Sequence, residues 1–320
     1  MTKTNKMSFQ DILKKYNLLL LLLFFTVLAT ILSPNFLSVR NIFNILRSAS
    51  FTGIMSIGMT FVILTGGIDL SVGYMGNMAG MLCCFLIING MPILPGMILG
   101  IVAGGILGFV SGSIIQLFKL PPYITTLAMQ MVAQGVSLLF TNGNVITGLP
   151  EGLSFIGKTN LFNYVPLVGI IWIVLTIISA LLLKYTPFGR RIYAIGGNQE
   201  AAYLSGINVK KYSILVFVIS GCLAAFAGVL MASYLTVGQP TAIVQGETNA
   251  IASVVIGGTS MRGGFGGVVG TFGGVILMQI ITNIFNLVGV PPFMQYIFKG
   301  VIIVAALILN KFVSGENKQN

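Results

Sequence analysis

Six carboxylates, three thiols and no histidine are the stock of catalytic side chains in these 320 residues. Without histidine there is no Ser-His-Asp or Cys-His triad and no HExxH zinc site. Cys83 and Cys84 stand together in one apolar run and Cys222 in another, a spacing that fits neither a metal site nor a disulfide framework. Residues 152–159, GLSFIGKT, match the phosphate-loop pattern GxxxxGK[ST] in letters. That chemistry needs a strand before the loop and a helix after it. Here the segment joins two apolar runs and Pro166 follows closely, so nucleotide binding is rejected. Asp11 and Glu316 lie in the chain's ends and Glu151 in a loop, which leaves Asp69, Glu200 and Glu247. These form no clustered acid–base pair, and a membrane enzyme is thereby disfavoured.

The remaining polar residues suit binding. Gln279, Asn283 and Asn286 recur at i, i+4 and i+7, and Gln130, Gln134 and Ser137 repeat that spacing. Such amide stripes either glue helices together or line a path for a neutral, hydroxyl-rich solute. Glu247 and Asn249 interrupt another apolar run. Asp69 follows Gly66-Gly67 and precedes Ser71. It either caps the next helix by accepting N–H bonds or stands at the inner mouth of a transport path. In the segment from Lys184 to Lys211, Asn198 can N-cap a short helix, Glu200 sits in its first turn and Gly206 can end it. One or two turns have little stability alone. The segment is either a helix that docks on a partner or an ordinary solvated loop.

Long apolar elements must carry these residues. Charged side chains make up 7% of the chain, against about 25% in soluble domains. The chain belongs in a bilayer, where a span takes about 20 mostly apolar residues. Charge-free windows place ten helical spans near 17–33, 49–65, 73–89, 95–117, 122–140, 164–183, 213–235, 243–260, 267–288 and 293–310. The eighth is short and either crosses or re-enters. The first, behind Lys3, Lys6, Lys14 and Lys15, is read as an uncleaved span rather than a signal peptide. With the N-terminus inside, 13 of 17 basic residues fall on the cytoplasmic side. The net charge of +11 therefore reports orientation and not nucleic-acid binding. Gly96, Gly100, Gly104, Gly108 and Gly112 form repeated GxxxG steps for close helix packing, and Gly266, Gly270 and Gly274 are expected to do the same.

Several long motifs carry a resemblance. The octapeptide GGIDLSVG, the segment PFGRRIYAIGGNQEAAYLSGI and the segment ETNAIASVVIGGTSMRGGFGGVVGT are similar to ribose-type monosaccharide permeases of the ATP-binding cassette importers. The stretch NIFNILRSASFTGIMSIGMTFVI agrees, and the likeness runs from about Phe36 to Leu309. Glu200, Ala201, Ala202 and Gly206 match the EAAxxxG motif of importer permeases, although its downstream Ile and Leu-Pro are absent. The resemblance implies an all-α, ten-helix importer-permease fold over 17–310, with a coupling loop at 184–211 and cytoplasmic tails at 1–16 and 311–320. It implies a bacterial cytoplasmic membrane protein, paired with a second copy or a close relative. Two separate ATPase subunits would hydrolyse ATP, so this chain would bind no cofactor, and an extracytoplasmic binding protein would deliver the sugar. The family often has Asp where this chain has Asn249 and a basic residue where it has Gln134. Arg262 and Phe265 are also unusual in the glycine-rich stretch. The resemblance implies a ribose-like pentose or related sugar as cargo, the departures leave the exact sugar open, and the alternatives are a nucleoside or other polar solute, or a stand-alone secondary transporter.

Overall fold

Thirteen α-helices make up most of residues 9–313, the part of the chain that the computed structural model describes. They are α1 (Phe9–Leu32), α2 (Val39–Leu64), α3 (Val72–Ile88), α4 (Ile93–Phe118), α5 (Pro122–Leu139), α6 (Ser154–Lys158) and α7 (Leu167–Tyr185). The second half holds α8 (Pro187–Gly197), α9 (Gln199–Leu204), α10 (Val209–Leu235), α11 (Gly246–Ile256), α12 (Val268–Val288) and α13 (Pro292–Val313). An antiparallel ribbon, β1 (Asn160–Leu161) with β2 (Val165–Pro166), closes the loop before α7.

A helix stands in each of the ten apolar segments, and α6, α8 and α9 occupy loops. Among the described residues α2, α4, α7, α10 and α12 are long and apolar enough to cross a membrane by length and composition. Shorter apolar helices are residues 17–32 of α1, α3, and residues 292–305 of α13. The helix α1 begins at Phe9 and α13 continues to Val313. Residues 1–8 and 314–320 lie outside the described part.

The eighth segment is not one continuous helix. At 11 residues, α11 is about 16 Å long, roughly half the hydrocarbon thickness. The stretch before it makes up distance as irregular chain lying along α3. Gly238 bridges Ile146 and sits beside Cys84, Ile243 is held by Asn77, and Gly246 abuts Gly73. Non-helical backbone at membrane depth is tolerated only where protein groups satisfy it. The Ile146–Gly238 bridge and the Asn77 amide do that here.

The centre of the fold is α10, packed against α2, α3 and α4. Small residues permit these close crossings. Along α4, Gly96 and Gly100 meet Ile87, Ala79 and Cys83 of α3, while Gly104, Gly108 and Gly112 meet Gly221, Phe217 and Ile214 of α10. A methyl group on Gly100 would sit 2.8 Å from the Ala79 carbonyl oxygen. In α12 the expected stripe holds only in part. Gly270 and Gly274 pack on Gly257 and Ser253 of α11, but Gly266 precedes the helix at φ +117° and folds against Thr259.

Cross-contacts sort the loops into two faces. On one face Arg47 bonds Asn160, Ile146 bridges Gly238, and Gly157 donates to Ser233. On the other, Gly264 donates to the Leu64 carbonyl, Tyr193 to the Gly266 carbonyl, and Leu70 to Thr126.

Candidate functional site: a buried turn, a short helix and a projecting helix pair

The GGIDLS sequence forms a turn that folds back into the protein. Gly66, at φ +81°, lets the chain reverse after α2, close to the Arg262 carbonyl. Asp69 is completely buried. Its Oδ1 accepts from the Ser71 N–H at 3.1 Å and the Ser71 hydroxyl at 2.5 Å, and its Oδ2 accepts from the Ser220 hydroxyl of α10 at 2.8 Å. Thr126 of α5 holds the flanking backbone, accepting from the Leu70 N–H and donating to carbonyl oxygens that include Ile68. The geometry resembles the capping alternative, although the residue directly before α3 is Ser71. Asp69 faces neither solvent nor a cleft; it ties the α2–α3 turn to α10.

Glu247 and Asn249 stand at the start of α11, both half-buried. One Glu247 carboxylate oxygen is enclosed without a hydrogen-bond partner. It lies against Gly73, where an added methyl would come within 2.5 Å. A carboxylate in a first helical turn is favoured by the helix dipole. Packed against Gly73, this oxygen is closed to a solute as the chain stands. Asn77 fixes this region by accepting from the Ile243 N–H at 2.8 Å and donating to the Ile243 carbonyl at 3.2 Å.

The two amide stripes diverge. Asn283 exchanges two hydrogen bonds with Asn41 of α2, 2.8 and 3.0 Å long, and Asn286 accepts from Gln295 of α13. These are helix-to-helix links, while Gln279 is half-buried on α12. On α5, Ser137 is buried, Gln130 half-buried and Gln134 exposed. Met131, Val132 and Leu139 are exposed on the same helix, so this surface awaits lipid or another chain.

The α8–α9 projection is built by local signals. Asn198 Oδ1 accepts from the Ala201 N–H at 2.9 Å, as its N-cap position implies. Gly206, at φ +80°, ends α9, with the Ile207 N–H returning to the Ala202 carbonyl. Ala202 is the buried foot of the helix, on Ile195, Ile207, Val209 and Tyr212. Glu200, Ala201, Tyr203 and Leu204 face outward, with Tyr203 at 69% and Leu204 at 78% exposure. Glu200, Tyr203 and Leu204 edge a cleft of about 890 Å3 that also takes in Gln116 and Ile207. The Tyr193 phenol of α8 anchors the projection to the Gly266 carbonyl at 2.7 Å, and burial raises its pKa, keeping it a donor.

Residues 152–159 lack the strand–loop–helix order. A 3-10 turn leads into α6, and Gly157 N–H donates to Ser233 Oγ rather than facing an open cradle. Asn77, Thr126, Tyr193 and Ser220 were not singled out from the sequence. Only Asn77 carried a signal, as the lone amide inside the apolar run 73–88.

Comparison with known proteins follows the same outline. The family described as branched-chain amino acid transport system / permease component matches residues 41–307. The ribose import permease protein RbsC of Bacillus subtilis (strain 168) is 41% identical, over 97% of this chain and 97% of its own length. RbsC of Escherichia coli (strain K12) is 37% identical, over 93% of this chain and 94% of that one. The L-arabinose transport system permease protein AraH of Escherichia coli (strain K12) is 33% identical, over 95% and 93%. No solved structure matches. The shared length and identity, together with the helical membrane architecture, show that the chain belongs to this permease family and, within it, to the ribose-type permeases of ATP-binding cassette importers.

Proposed function

We propose that this chain is the membrane subunit that carries ribose or a closely related monosaccharide inward across the bacterial cytoplasmic membrane. The observation that carries the reading is near-full-length similarity to proteins named as ribose import permeases. All ten apolar segments serve as spans, the eighth as irregular chain completed by α11. Both termini lie in the cytoplasm, as the distribution of basic residues favours.

In this reading α9 is the coupling helix. Its exposed Tyr203 and Leu204 enter a groove on a separate ATPase subunit, and its buried Ala202 passes the displacement to α8 and α10. ATP is hydrolysed on two such subunits, and this chain holds no cofactor of its own. A second permease copy or close relative covers α5. The path then forms where Gln130 and Gln134 meet the partner chain, with Glu247, Asn249 and Gln279 offering dispersed acceptors and donors. Asp69 and Asn283 hold the helices around it. Weak, scattered contacts favour release, while an extracytoplasmic binding protein performs capture.

Growth tests the cargo. A bacterium lacking its own ribose importer, given this chain with its ATPase and binding protein, should grow on ribose. Unlabelled ribose should outcompete leucine and adenosine for uptake. Uptake competed by leucine alone would overturn the sugar reading in favour of the amino-acid cargo in the family's description.

A further inference from the structure

Beside the coupling projection lies a second cleft that the transport cycle above does not use. It holds about 790 Å3 and opens between the last turn of α7, α8 and the start of α12. Lys184 and Arg190 line it, and no acid does. Both basic side chains are exposed, and neither has an ion-pair partner among the described residues. The Lys184 ammonium rests over the Tyr185 ring, 5.1 Å from its centroid. The first turn of α12 forms the facing wall and carries no side-chain cap. Its free amides add positive character beside the two cations.

The remaining walls are apolar. Leu183 and Val268 form the floor, and Phe265 and Val269 stand at the rim with 72% and 70% exposure. One turn deeper on α7, on the same side as Ala180 and Lys184, Ile177 is 53% exposed. The charged end of the cleft therefore continues into bare apolar helix surface. A free anion in water has no use for such surface; a molecule with an anionic head and hydrocarbon chains matches both parts. This end of the molecule is also the one whose basic residues assign it to the cytoplasmic leaflet.

We propose that this cleft seats one anionic phospholipid, its phosphodiester held between Lys184 and Arg190 and its acyl chains lying along α7 and α12. Arg supplies paired donors to phosphate oxygens and Lys a point charge. The lipid would wedge the α7–α8 corner against the 257–267 loop, where Tyr193 already bonds Gly266.

The test uses the assembled transporter in nanodiscs containing equal phosphatidylglycerol and phosphatidylcholine, extracted mildly and examined by native mass spectrometry. The wild type should retain phosphatidylglycerol selectively, and K184Q/R190Q should retain about tenfold less. K184R/R190K should retain wild-type amounts. V269W, which crowds the apolar rim with both charges intact, should retain less lipid than the wild type as well. Equal retention in wild type and K184Q/R190Q would overturn the proposal. So would full displacement of lipid by soluble glycerol phosphate, which would mark a site for free anions. Loss of ATPase subunits from K184Q/R190Q with lipid retained would make the cleft a protein contact instead.

Discussion

Asp69 holds two hydroxyls and one backbone N–H that have no other place to go. Removing its carboxylate leaves buried donors unsatisfied, at about 1–3 kcal/mol for each group. D69A should therefore lower the thermal midpoint of the purified protein by several degrees, while D69N, which keeps an acceptor, should lose less. Equal loss in both would show that charge rather than hydrogen bonding matters there. Asn77 plays a similar part, since its amide replaces the backbone partners that Ile243 lacks. N77L should destabilise the chain by a comparable amount, and N77Q, whose added methylene displaces the amide from the Ile243 backbone, should destabilise it too. The scarcity of acids pointed to Asp69 from the sequence, but not to its main partner. Ser220 lies 151 positions away and resembles any other serine in an apolar run.

Glycine decides whether the central helices can touch. A side chain at Gly108 of α4 would overlap the Phe217 carbonyl of α10, and backbone cannot yield as a side-chain end can. G108L should abolish accumulation of the full-length chain in membranes. At Gly135 of α5 nothing lies within 4 Å. G135A should leave folding intact or add up to about 1 kcal/mol through helix propensity. Normal accumulation with impaired uptake in G135A would locate a partner chain on α5. The α9 projection is read through its caps. Gly206 adopts a left-handed conformation, and G206P forbids it. G206P and E200K should insert normally yet lose transport, and Y203A should weaken ATPase co-purification at least tenfold, as buried interface tyrosines do. Caps and turns are local in sequence, so α9 was legible from Asn198 and Gly206. The eighth segment was legible only as short and either crossing or re-entrant. The irregular chain before α11 is held by Ile146 and Asn77, far along the chain.

The molecule as a whole is a helical membrane permease built around α10. Length and composition alone placed the ten apolar segments, because hydrophobic run length is a one-dimensional property. Which polar residues face a path could not be read in that way. Asn283 and Gln134 sit on similar stripes, yet Asn41 claims one and nothing among the described residues covers the other. The difference arises only when helices pack. In the proposed reading, transport by this chain draws its energy from ATP hydrolysed on separate subunits. Proteoliposomes containing the permease, its ATPase and the ribose-binding protein provide the direct measurement. Radiolabelled ribose should accumulate only when ATP reaches the ATPase face, and should stop when E200K replaces the wild type. Accumulation by the permease alone, driven by a proton or sodium gradient, would contradict the account.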